Sequence, residues 1–128
     1  MGLFGIGNKK KELEEQKKRE HAAFMAKKEE EFPEYEKQMN DLYNEYFEAI
    51  GKLREYNDYY DACEVCKRYV KEFSKKREDI MNEYLSGVDD YSDLTSKARN
   101  VLIKISHKIN DEISRVDRDL KQKLDIVD

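Results

Sequence analysis

Between Tyr35 and Tyr56 the apolar residues recur at alternating steps of four and three: Tyr35, Met39, Leu42, Tyr46, Ala49, Leu53 and Tyr56. A strand needs a period of two, so this spacing calls for a helix carrying a heptad seam. Tyr43, Phe47 and Ile50 widen the seam to about half the helix circumference, more than a two-stranded coiled coil requires. A helix with so wide a face needs at least two neighbours.

Two further stripes can supply them. Tyr59, Cys63, Cys66, Val70, Phe73, Ile80 and Tyr84 repeat the same steps, with Arg77 at the one heptad position that is not apolar. An arginine there can lay its stem along the seam or set register by pairing with a carboxylate. The last stripe runs through Leu94, Ala98, Val101, Leu102, Ile105, Ile109, Ile113, Val116, Leu120, Leu124 and Val127. Its steps favour four over three, a period near that of a straight helix, so little supercoiling is implied.

Punctuation divides the stripes. Pro33 suits the first turn of a new helix, Asn57 a helix end and Asp58 an N-cap. Gly87 suits a left-handed cap, and Asp90 or Ser92 a new start. The expected fold is all-α: an antiparallel bundle of three long helices, about 33–56, 58–86 and 90–127, within a segment 33–128. Ahead of it stand a flexible N-terminus, 1–8, and a charged helical arm, 9–32, helical over about 9–31. Its Glu14–Lys18 and Glu15–Arg19 pairs lie in the favourable order. Charged residues make up 42% of the chain and apolar ones 38%, which excludes a wide globular core and suits helices that each bury one stripe.

The stretch Asn57-Asp58-Tyr59-Tyr60-Asp61-Ala62 resembles the turn of a tetratricopeptide repeat, echoed at Asp90-Tyr91-Ser92-Asp93. The helix that follows the first turn is about twice the length such a repeat allows, so neither the repeat architecture nor its peptide-binding role is carried over.

Little points to chemistry. No histidine–glutamate metal motif or glycine-rich phosphate loop is present, and His21 and His107 fall among charged residues. Cys63 and Cys66 form a single C-x-x-C inside a helical stripe, where two small core residues are expected rather than half a zinc site or a redox pair. The expectation is no enzyme, no cofactor and no metal. With no secretory leader and no long apolar run, a cytoplasmic location is expected.

Charge is unevenly spread: residues 9–28 carry a net +4, residues 29–64 a net −9 and residues 65–128 a net +1. Six of the nine tyrosines lie in the acidic part. The function expected is a protein–protein interaction module, a helical adaptor or assembly protein. The alternative is a small acidic inhibitor or immunity-type protein docking its Tyr/Asp/Glu-rich face on a basic, nucleic-acid-binding partner. Its candidate contact residues are Glu45, Phe47, Glu48, Glu55, Tyr56, Asp58, Tyr60 and Asp61. Homo-oligomerisation through the long last helix or the arm is a further expectation. Direct nucleic-acid binding is disfavoured because basic residues outside the arm are interleaved with acids. A second alternative is a peripheral membrane protein anchored by the apolar, glycine-rich residues 1–8 and the lysines that follow.

Overall fold

A computed structural model describes residues 2–127, with side chains from residue 9 onward. Among them the regular structure is helical: α1 (Gly2–Gly51), a 3₁₀ turn (Lys52–Glu55), α2 (Tyr59–Tyr84) and α3 (Asp93–Lys123). The break expected at Pro33 is absent, since the proline lies inside α1. Proline there forfeits one amide bond to the carbonyl of Glu29. Both residues are exposed, so water can take the freed carbonyl, and the glutamates and lysines around it favour helix. By its contacts the chain divides into two compact units, 1–32 and 33–128.

The first unit is solvated along most of its described length. Arg19 pairs with Glu15 at 3.6 Å and Gln16 donates to Glu20 at 3.3 Å. Of its described side chains only Phe24, Met25, Lys28, Glu31 and Phe32 are partly buried, while Leu13 is exposed.

The second unit is an all-α bundle of three helices. From α1, Tyr35, Met39, Leu42, Tyr46 and Ile50 are buried, followed by Leu53 of the 3₁₀ turn. Ile50, expected on the flank, is central, and Ala49 and Tyr56 lie at the margin. A straight helix drifts about 20° per heptad, which moves the centre of the stripe in this way. α3 contributes Leu94, Thr95, Ala98, Leu102, Ile105, Ile109, Glu112, Val116 and Leu120, whereas α2 buries only Ala62, Phe73 and Tyr84 completely.

Polar groups fix the helix ends. The Asp58 carboxylate accepts from the amide of Asp61 at 3.0 Å, the expected N-cap. Ser92 caps α3 by accepting from Thr95 N at 3.2 Å, and Gly87 between the helices has φ 80°. α3 stops at Lys123, short of the expected Val127. The amide of Ile126 donates back to Lys121 O at 2.9 Å, with Asp125 left-handed at φ 55°, a Schellman closure. Val127, 90% exposed, is therefore not part of the stripe.

Candidate partner-binding groove

Where α2 begins and α3 ends, the seam between them stays open. Ala62 and Leu53 form a buried floor, and Cys63, Cys66 and Val70 of α2 face Ile113, Val116 and Leu120 of α3 across an apolar groove of about 550 Å³. Cys63, Cys66, Val70 and Ile113 are only half-buried. That corrects the expectation for the cysteines: they wall a groove instead of filling the core, because α1 covers the other flank of α2. Both thiols are free. Burial, then Cys63 and Asp117, push the Cys66 thiol up, so it stays protonated and weakly nucleophilic.

One end of the groove is closed by polar contacts. The Tyr59 hydroxyl donates to Asp117, and Lys121 pairs with the same carboxylate at 3.1 Å while lying over the Tyr59 ring. The hydrogen bond from Tyr59 holds Asp117 below the usual carboxylate range, with Lys121 adding to it against burial. Lys67, Lys71 and Ser114 line the lip. Lys67 reaches Glu64 at 3.5 Å, both well exposed, and Lys71 has no hydrogen bond or ion pair among the described residues.

Behind the groove a charge cluster holds the 3₁₀ turn to α3. Arg54 donates to Glu112 through both terminal nitrogens, at 3.0 and 3.3 Å, and through Nε to Asp119 at 2.8 Å. Arg115 reaches Glu112 at 3.1 Å. Glu112 is 4% exposed. Burial pushes its carboxyl up, but hydrogen bonds from Arg54 and Arg115 outweigh this and leave its pKa lowered. Lys123 completes the junction by donating to the carbonyls of Arg54 and Tyr56 at 3.0 and 2.9 Å. Arg77, on the α2 seam, donates to the Ser106 hydroxyl and lies over the Phe73 ring, and pairs with no carboxylate among the described residues.

The eight candidate contact residues fall into separate places. Glu45, Glu48 and Tyr56 line a shallow cleft of about 330 Å³ beside Tyr69 of α2. Phe47 lies about 200° around the helix from Glu45. It packs on Tyr43, itself beneath Lys108 of α3. Phe47 therefore does not join that cleft. Asp58 is engaged as the cap, Asp61 and Glu55 are exposed, and Tyr60 is 80% exposed with its ring edge-on to Tyr59. The side chains of residues 1–8, and with them the proposed membrane hook, lie outside the described residues.

Arg54 and Glu112 were missed. The signal for Glu112 was present: Thr95, Ala98, Leu102, Ile105, Ile109, Glu112 and Val116 step by three and four without interruption, placing a carboxylate on the seam. Among the described residues no cluster of three or more potential metal ligands is found, and no helix is long and apolar enough to cross a membrane. Set against known proteins, the chain matches no family model, no curated protein and no solved structure.

Proposed function

We propose that this chain is a non-enzymatic protein–protein interaction module, a helical adaptor or assembly protein, and that it receives its partner in the groove between α2 and α3. One observation carries the reading: the apolar seam that closes over Phe73 remains open at Cys63, Cys66, Val70 and Ile113. Burying a half-exposed apolar wall of this kind favours association, at roughly 25 cal/mol per Å² before the costs of ordering the partners.

The test is capture from native cell extract with the wild-type chain and with Val70→Trp, which fills the groove from its wall. Proteins held by the wild type and lost by the variant, at unchanged helicity, support the reading. Identical retention by both places the contact elsewhere.

The acidic inhibitor is a second reading, favoured by the exposure of Tyr60 beside Asp61. It predicts salt-sensitive binding to a basic protein that weakens in Tyr60→Ala and Asp61→Lys. Asp58 is unsuited to this test because its replacement also removes the α2 cap. Wild-type binding by both variants sinks it.

A further inference from the structure

The lip of the groove restricts what can lie in it, and this step rests on the groove being the partner site. We infer that the occupant is an amphipathic helix with carboxylates along one flank. From Tyr59 to Lys71 α2 advances about 18 Å, the length of three helical turns, and the facing wall is the stretch Ile113–Leu120 of α3. An apolar floor between a wall of about 18 Å on α2 and one of about 10 Å on α3 suits a helix presenting anchors one and two turns apart. A helix placed there would pack on both walls as the helices of the bundle pack on one another.

Charge then selects the flank. Lys67 and Lys71 stand one turn apart on the α2 lip, and Lys71 has no partner among the described residues. The hold of Glu64 on Lys67 is a solvent-exposed contact at 3.5 Å, weak enough to exchange. Asp117 is the one carboxylate among the groove-lining residues, and it is already engaged by Tyr59 and Lys121. A basic helix would meet two like charges and no free acid. An acidic one gains two ion pairs at the exposed lip, which favour its encounter and fix its orientation.

The test uses a phage-displayed library of sixteen-residue peptides, helical in design and randomised on one face and its flanks, selected on the full-length protein. Expected winners carry apolar residues at helical spacing with Asp or Glu beside them. They should shield the groove thiols, Cys63 above all, from a maleimide and weaken on the order of tenfold in Lys67→Glu/Lys71→Glu and at high salt. Both lysines are exposed, so the double variant keeps its fold, which its helicity checks. Winners that shield the thiols but are basic, or are indifferent to the charge reversal, overturn the acidic helix and leave the groove reading intact. Winners that leave the thiols open, or no winners at all, overturn both. A concentration-dependent dimer, or uptake of palmitate, that shields the thiols assigns the groove to those occupants and overturns the inference.

Discussion

The two ends of the three-helix unit are held together by different physics. At the end formed by the first turns of its α1 segment, the close of α2 and the start of α3, Tyr35, Tyr84, Leu94, Thr95 and Ala98 are each 9% exposed or less. Tyr35 and Tyr84 stack at 4.6 Å, and the Tyr35 hydroxyl donates to Ala98 O at 2.8 Å. At the opposite end the α2–α3 seam is half-exposed above a buried floor of Leu53, Ala62, Val116 and Leu120, and Arg54, Glu112, Asp119 and Arg115 tie the 3₁₀ turn to α3. Close packing leaves nothing for a partner to gain. A seam held from behind by ion pairs can leave apolar surface uncovered without falling apart. The open end therefore holds the groove proposed to receive a partner, and the closed end is the more tightly packed of the two.

The largest expected effect tests the closed end. Tyr35→Ala should lower unfolding free energy by about 4 kcal/mol, as for other buried aromatics, measured by urea denaturation. A loss below about 1 kcal/mol would mean that this end is not the anchor. At the open end Arg54→Met should cost about 2–3 kcal/mol, less than an isolated buried pair, because Arg115 still reaches Glu112. The double variant Arg54→Met/Glu112→Leu should recover most of that loss. If it does not, the cluster supplies net stability beyond holding its own charges.

Acid sharpens the same contrast. Glu112 ionises below its ordinary value of 4.5 when folded, so its charged form stabilises the native state. That contribution is complete above about pH 4.5 and is lost as pH falls through the lowered folded value. Asp117, also lowered, adds in the same direction. Glu112→Gln should flatten the acid limb of stability against pH, and a limb as steep as wild type would assign it to other carboxylates. Val70→Ala on the groove wall should cost about 1 kcal/mol, since its side chain is only half-buried. The smallest change is a gain: Asp125→Gly should stabilise by about 0.5–1 kcal/mol, relieving a left-handed residue at the α3 terminus. Thermal melts of the two proteins side by side would detect it.

Much of the bundle could be read from spacing. The seams, the Asp58 and Ser92 caps and the left-handed Gly87 all follow from local rules, because each depends on residues within a turn of one another. Pro33 misled for the opposite reason: a local breaking signal was overridden by the helix on both sides of it. Glu112 was passed over in favour of Ile113, since an apolar stripe is sought in apolar residues, and only the approach of Arg54 from a distant turn makes a buried carboxylate tolerable. The groove was illegible. Whether Cys63 and Cys66 are core or wall depends on which flank of α2 the first helix covers, and no periodicity within α2 encodes that.

The contact between Lys123 and the carbonyls of Arg54 and Tyr56 has a consequence for the order of events during synthesis. The end of the first helix is capped by a cation that is synthesised only 69 residues after Arg54. Until then the 3₁₀ turn lacks both this cation and the Glu112 carboxylate that seats Arg54. A nascent chain can form its first two helices early, but the junction between them is completed only when the last turn of α3 arrives. Arrival of that last turn, not emergence of each earlier helix, is then the step at which this end of the bundle becomes native.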